Sequence, residues 1–159
     1  LADLRRLETL WSWARQTTKS TTPWLCGAYS AADAFFAPVA TRIATYNLPV
    51  SAEAMLYVNA HLAHPSFRRW RAMGLVDGAD QEFYRRPYPR RDWPGPVPLP
   101  ARAVDCADTV NTACPYSGKP VSHALELYGR RFGFCNALCR DKTVADAEAW
   151  PKFMALYHS

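Results

Sequence analysis

Cys114-Pro-Tyr-Ser-Gly-Lys-Pro-Val-Ser-His123, followed by Phe132-Gly-Phe-Cys-Asn-Ala-Leu-Cys-Arg140, places three cysteines on short chain segments. A cysteine in a Pro/Gly turn, a short β-hairpin and a Cys-x-x-x-Cys pair at the start of a helix can present three thiolates to one soft cation. We therefore predict a small metal knuckle with Cys114, Cys135 and Cys139 as ligands.

The fourth coordination position is the open question of this knuckle. Ser117 stands where a Cys-x-x-Cys turn would have its second cysteine, and a hydroxyl is a poor ligand because it is rarely deprotonated. In one interpretation His123, His158, Cys106 or water completes the coordination of Zn²⁺ or a similar ion, which substitutes for a core too small to fold alone. In the other, the module has lost its metal and keeps inert cysteines.

The residues around these cysteines predict a hairpin followed by two helices. Strands are expected over 121–127 and 131–134, with Gly129 in the loop between them because glycine takes positive φ without strain. Cys135 and Cys139 are expected to start a helix, on which i and i+4 side chains share one face. A last helix from about residue 146 is expected to cover the hairpin with Trp150, Phe153 and Leu156.

The segment 106–159 resembles the YHS family, whose members are small treble-clef-like modules with a Cys-Pro-x-Cys-Gly turn, a Gly-centred hairpin and a Phe-Cys-x-x-x-Cys segment. Cys114, Cys135 and Cys139 occupy matching positions, whereas Ser117 departs from the pattern. The resemblance implies a small α+β hairpin and helix module that binds a metal ion such as zinc.

A proline-rich run separates this module from the first half of the chain. Six prolines between residues 87 and 100 fix φ and remove backbone donors, which excludes a helix or a central strand there. The sequence therefore predicts a helical domain over 1–85, a linker over 86–105 and a cysteine module over 106–159. Leu1 is not a natural start, so we expect the first domain to be truncated at its N-terminus.

The first half predicts several helices joined by short turns, which is typical of an α bundle. Ser30-Ala-Ala-Asp33 reads as a capping box that opens a helix over about 31–46. This helix is apolar nearly all round, which predicts a place in the middle of the bundle. Further helix starts are expected at Ser51 and Pro65.

Gly27-Ala-Tyr-Ser-Ala-Ala-Asp-Ala-Phe-Phe-Ala-Pro-Val39, with Leu62-Ala-His-Pro-Ser-Phe-Arg-Arg-Trp70 downstream, resembles the C-terminal helical domain of glutathione S-transferases. In that family a Ser/Thr-x-x-Asp capping box opens the central buried helix, and a Pro-x-x-x-x-Trp segment opens a later one. The resemblance covers about residues 1–80. It gives Ser30 and Asp33 a structural role as the capping box.

The two resemblances together imply a mainly α fold, in which a glutathione S-transferase C-terminal-like bundle carries the small α+β treble-clef-like module. The intact protein would perform glutathione-dependent chemistry as a homodimer, with glutathione held by a thioredoxin-like domain outside this chain and the bundle facing a hydrophobic electrophile. The resemblance assigns no catalytic or glutathione-binding residue to this chain, which alone is expected to be an inactive member of this transferase family. The alternative is a non-catalytic metal-binding or protein-interaction scaffold.

The composition of the chain limits which partners and which cellular compartment we expect. The 159 residues carry a net charge of +5 with basic residues spread along the chain, so we expect no nucleic-acid partner. No apolar run is long enough to span a bilayer, so we expect no membrane partner. Five cysteines, an odd number with knuckle-like spacing, argue against a disulfide framework and favour a cytoplasmic protein.

Overall fold

The computed structural model describes residues 2–79, 81–89 and 91–159 and gives a mixed α+β fold. Within these ranges the chain forms six α-helices and one three-stranded antiparallel sheet, and about half of it is helical. The described helices include none that is long and apolar enough to cross a membrane. Arg90, in the proline-rich run, lies outside the described residues.

The chain divides into two compact units. Unit 1 comprises Leu1–Phe67 and Pro89–Pro96, and unit 2 comprises Arg68–Tyr88 and Val97–Ser159. The division into 1–85, 86–105 and 106–159 stays a prediction.

Unit 1 is helical. Its helices are α1 (Ala2–Thr18), α2 (Ala31–Thr45), α3 (Ala52–Ala63) and the start of α4 (Pro65–Gly74), inside which the division between the units falls. Ser51 caps α3 by accepting a hydrogen bond from the Ala54 N–H at 3.2 Å, and Pro65 begins α4 because the first turn needs no proline N–H.

The core of unit 1 is built around two large aromatic side chains. Trp11 and Tyr57 are both fully buried, and their ring centroids lie 4.7 Å apart in an edge-to-face arrangement. Ile43, Val58 and Leu62 of α2 and α3 belong to the same buried cluster. Burying such side chains contributes roughly 1.5–3 kcal/mol each, which makes this apolar cluster the main stabilising feature of the unit.

The expectation that α2 lies in the middle of the bundle is wrong. Its buried residues are Asp33, Ala40 and Ile43, whereas Phe35 is 77% exposed. Apolar composition overstates burial here because alanine supplies much of it, and alanine is as favourable on an exposed helix face as inside. The helix continues through Pro38.

Unit 2 contains the sheet. Strands β1 (Arg102–Val104), β2 (His123–Leu127) and β3 (Arg130–Phe134) pair antiparallel in that order, and Leu125 lies opposite Phe132. β1 was not anticipated, since its residues fall in the predicted linker. The β2–β3 hairpin closes through Tyr128 and Gly129, whose φ angles of 49° and 78° match the type I′ turn that follows strand twist.

Two helices cover this sheet and give unit 2 its own core. α5 spans Ala137–Ala145 and α6 spans Pro151–His158. Phe132, Phe134 and Phe153 are fully buried, and the Phe132 and Phe153 ring centroids are 5.2 Å apart. Unit 2 therefore has an apolar core of its own. That an ion substitutes for a core too small to fold alone stays a prediction.

An ion pair within unit 2 holds the end of α5. Arg68 donates from Nε and from a terminal nitrogen to the two carboxylate oxygens of Asp146, at 2.8 and 2.6 Å, and to Glu148 at 2.9 Å. Asp146 is only 3% exposed. This bidentate geometry is the strong form of an Arg–carboxylate contact, so it fixes the segment from which α6 starts.

Candidate metal centre

Cys114 sits in a tight turn that precedes β2. Its N–H donates to the Lys119 carbonyl at 2.8 Å, and the Gly118 N–H donates to the Cys114 carbonyl at 2.9 Å. Gly118 has a φ of +71°, which a residue without Cβ adopts without strain. The turn therefore leaves the Cys114 side chain, 2% exposed, pointing into unit 2.

Cys135 and Cys139 meet through a helix cap and not as an i and i+4 pair on one helix, which corrects the sequence prediction. Asn136 is the N-cap of α5 with extended dihedrals of −161° and 169°, so Cys135 lies outside the helix. The Asn136 side chain accepts a hydrogen bond from the Cys139 N–H at 2.8 Å. This cap turns the chain so that the two sulfurs lie 3.9 Å apart.

The structure brings the three predicted ligands together. The sulfurs of Cys114, Cys135 and Cys139 all lie within 4.8 Å of one another, and the cluster could hold a metal ion. Among the described His, Cys, Asp and Glu residues no fourth joins them. Of the predicted fourth donors, His123 contacts the Ser122 hydroxyl at 2.9 Å, His158 packs on Tyr157, and Cys106 is exposed.

Hydrogen-bond donors surround these sulfurs. The backbone N–H groups of Tyr116, Ser117 and Cys135 donate to the Cys114 sulfur. The Ser117 hydroxyl donates to the Cys135 sulfur at 3.3 Å, and the Asn136 amide lies 3.5 Å from the same atom. Donors of this kind stabilise negative charge on sulfur, which a metal-binding thiolate needs.

Hydrogen-bond donors lower the pKa of one thiol, and burial raises the pKa of another. Burial alone would raise the pKa of Cys114, but the N–H groups of Cys135, Tyr116 and Ser117 outweigh it and lower the pKa to about 7. Burial raises the pKa of Cys139 to about 11, and its hydrogen bond with Cys135 and the charge on Cys114 act in the same direction. The cluster therefore disfavours three negative charges at once unless a cation joins them.

A cation on α5 lies beside the cluster. The Lys142 ammonium is 4.2 Å from the Tyr116 ring centroid and 4.3 Å from that of Trp150, and its charge acts to lower the pKa of Cys139. Sequence reasoning missed Lys142 and the Asn136 cap. An asparagine three residues before Cys139 is an N-cap signal that could have been read; nothing in the sequence pairs Lys142 with Tyr116.

The second candidate set, Ser30 and Asp33, forms a capping box at the start of α2. The Asp33 carboxylate accepts from the Ser30 N–H at 2.8 Å, the Ser30 hydroxyl at 2.9 Å, the Leu25 N–H at 3.0 Å and the Tyr57 hydroxyl at 3.0 Å. Asp33 is fully buried. Burial would raise its pKa, but these donors outweigh burial and lower it. The box is thus the centre of a buried polar network in unit 1.

His61 belongs to the same network and was not anticipated as a buried residue. Its Nε2 lies 2.8 Å from the Asp33 carbonyl and its Nδ1 lies 3.0 Å from the Tyr57 carbonyl. The donor and acceptor roles of the two nitrogens depend on the tautomer, and a proton on Nε2 lets the ring of α3 donate to the Asp33 carbonyl of α2. Its i+4 spacing from Tyr57 on α3 is the one sequence signal for this position.

The fold and the site define a mixed α+β chain that carries a three-cysteine cluster able to hold a metal ion. No family model, curated protein or solved structure matches the chain. Cys114, Cys135 and Cys139 therefore form the site from which a function can be inferred.

Proposed function

We propose that unit 2 is a metal-binding module in which Cys114, Cys135 and Cys139 hold a soft divalent cation, with Zn²⁺ as the best fit. The observation that carries the proposal is the convergence of three sulfurs within 4.8 Å of one another. A cysteine turn, a hairpin and a cysteine at a helix start also support the treble-clef-like, YHS-like description of this module.

The spacing of the sulfurs favours zinc. Zn–S bonds of about 2.3 Å in tetrahedral geometry place neighbouring sulfurs about 3.8 Å apart. The Cys135 and Cys139 sulfurs already lie 3.9 Å apart, and Cys114 needs to approach by about 1 Å at most. Thiolates select soft ions over magnesium or calcium. A reducing compartment such as the cytoplasm would keep these thiols free to bind.

Zinc titration of the chelator-treated wild-type chain tests this proposal. A chromophoric chelator competes for the metal, and the expected result is about one tight equivalent per chain, as for other cysteine knuckles. Elemental analysis of protein prepared without chelator gives the same stoichiometry independently. A chain that is metal-free as isolated and takes up no zinc would remove the proposal.

A second proposal concerns unit 1, which we assign to the C-terminal helical domain type of glutathione S-transferases. The observation that favours it is the buried capping box, because Ser30 and Asp33 open α2 and Asp33 also accepts from Tyr57 on α3. In the intact protein this domain would face a hydrophobic electrophile in a homodimer, while a thioredoxin-like domain holds glutathione.

This second proposal has its own test. The present chain is expected to show no retention on immobilised glutathione and no conjugation of glutathione to a general electrophile. A gene in which a thioredoxin-like domain is encoded upstream of Leu1 supports the proposal. Specific elution of this chain from immobilised glutathione by free glutathione would contradict it, as would a gene without such a domain.

A further inference from the structure

The fourth corner of the three-sulfur cluster lies beside Ser117. The Ser117 hydroxyl lies 3.3 Å from the Cys135 sulfur. It is therefore the polar side chain that stands beside the cluster where a fourth ligand of the same ion could sit. A serine hydroxyl stays protonated near neutral pH and is not among the usual protein ligands of zinc.

This corner faces solvent. Ser117, Gly118 and Lys119 are all exposed, as is Asn136 on the other side of the cluster, whereas Cys114 is buried beneath them. Structural zinc sites are closed by four protein ligands, while sites with three protein ligands keep a position for water or a substrate. The donor set and its exposure both place this site in the second class.

We infer that the fourth coordination position, on the solvent side at Ser117, takes an exogenous small-molecule thiolate. The inference rests on the proposed metal binding by Cys114, Cys135 and Cys139. Its chemical reason is that a soft ion held by thiolates prefers a further sulfur donor to a hydroxyl or a carboxylate.

The exchange needs no oxidant or reductant. One metal–sulfur bond forms, one metal–water bond breaks, and the proton of the incoming thiol leaves to solvent. The additional negative charge falls on a cluster that already has compensating groups. N–H donors point at the Cys114 sulfur, the Asn136 amide lies beside the Cys135 sulfur, and the Lys142 ammonium acts on Cys139.

Cobalt substitution tests the inference directly, because thiolate-to-cobalt charge-transfer absorption grows with the number of bound thiolates. The cobalt-loaded wild-type chain is titrated with 2-mercaptoethanol, and retention of cobalt is checked by ultrafiltration. A saturable gain of about one third in charge-transfer intensity is expected as three thiolates become four. Imidazole and acetate, titrated in parallel, should leave that intensity unchanged.

Two variants locate the thiol on the cluster. Ser117→Cys should already show four-thiolate intensity and should not respond to 2-mercaptoethanol, whereas Ser117→Ala should respond like the wild type. Ser159→Cys, which adds an exposed cysteine at the C-terminus, is the matched control and should keep the wild-type response.

Three results would overturn the inference. A wild-type spectrum that is unchanged by the thiol, a response to imidazole alone, or removal of cobalt by the thiol would each show that no thiolate joins the site. A chain that takes up no cobalt would instead refute the metal site itself and the inference with it, so the two failures are distinguishable. The wild-type titration stands even if Ser117→Cys does not fold.

Discussion

Each unit contains side-chain atoms that can carry negative charge, Asp33 in unit 1 and the three sulfurs in unit 2, but their surroundings differ. In unit 1 one carboxylate, Asp33, meets four donors supplied by Leu25, Ser30 and Tyr57. In unit 2 three sulfurs converge on one another, and negative charges on all three would repel. A carboxylate surrounded by donors has its hydrogen bonds satisfied within the chain. Three sulfurs that converge on one point could instead hold a metal ion.

The largest expected effect comes from removing one sulfur. Cys135→Ser or Cys139→Ser should weaken zinc binding by more than about 100-fold, since changes outside the ligand set alone cost roughly 10–100-fold. Competition with a chromophoric chelator measures the affinity. Cys106→Ser is the matched control, because Cys106 is an exposed cysteine outside the cluster, and it should bind like the wild type. Equal affinities in all three variants would place the metal elsewhere.

Removing the buried carboxylate should affect unit 1 alone. Asp33→Ala leaves the Leu25 N–H and the Tyr57 hydroxyl without their acceptor, and it should lower the free energy of unfolding by about 3 kcal/mol. Tyr57→Phe, which removes one donor, should cost about 1 kcal/mol. Chemical denaturation measures both, and zinc affinity should not change. A loss of zinc binding in Asp33→Ala would show that the two networks are not independent.

The Asp33 effect should depend on pH in one direction. Because its pKa is lowered in the folded chain, the stabilisation is fully present above the unfolded pKa of about 3.9 and is lost as pH falls through the lower folded value. The stability difference between wild type and Asp33→Ala should therefore be constant near neutral pH and narrow in acid. A difference that widens in acid would contradict the assigned hydrogen bonds.

Zinc affinity should rise with pH. Cys114 has a pKa of about 7 and Cys139 one of about 11, so Cys139 is still protonated in the free chain at neutral pH and must lose its proton to bind. The association constant should increase about tenfold for each pH unit above neutrality per proton released. Competition titrations at several pH values measure this slope. An affinity independent of pH would argue that the thiols are not the ligands.

The smallest expected effect is at the first residue of the capping box. Ser30→Ala keeps the Asp33 carboxylate but removes the hydroxyl that lies 2.9 Å from it, and it should cost about 1 kcal/mol. Ser12→Ala on α1, where the hydroxyl only meets Gln16, is the control and should stay within about 0.5 kcal/mol of wild type. Equal midpoints for Ser30→Ala and Ser12→Ala would show that the box contributes nothing.

The sequence predicted local features better than packing. Short-range signals located the start of α2 at Ser30, the start of α4 at Pro65 and the turn at Gly129, because caps and turns depend on a few neighbouring residues. Burial of a side chain depends on which other helices and strands pack against it. The exposure of Phe35 and the pairing of β1 with β2 therefore could not be read from composition.

The candidate site shows the same limit. Sequence spacing correctly predicted that Cys114, Cys135 and Cys139 come together. The predicted reason was wrong for Cys135 and Cys139, because the Asn136 cap and not a shared helix face positions them. The fourth ligand could not be chosen from the sequence among His123, His158, Cys106 and water. In the part of the chain that the structure describes, none of the three side chains joins the cluster, and the Ser117 hydroxyl lies 3.3 Å from the Cys135 sulfur.

The central claim is that a bound ion orders the cysteine turn of unit 2, whereas unit 1 is ordered without an ion. Hydrogen exchange of the wild-type chain, with zinc and after chelation, tests this claim most directly. With zinc removed, amides over 114–118 and in the first turn of α5 should lose protection, while the Phe132 hairpin core and the helices of unit 1 keep theirs. The amides of Tyr116 and Ser117, which donate to the Cys114 sulfur, should change most. Identical protection of 114–118 in both conditions would contradict the account.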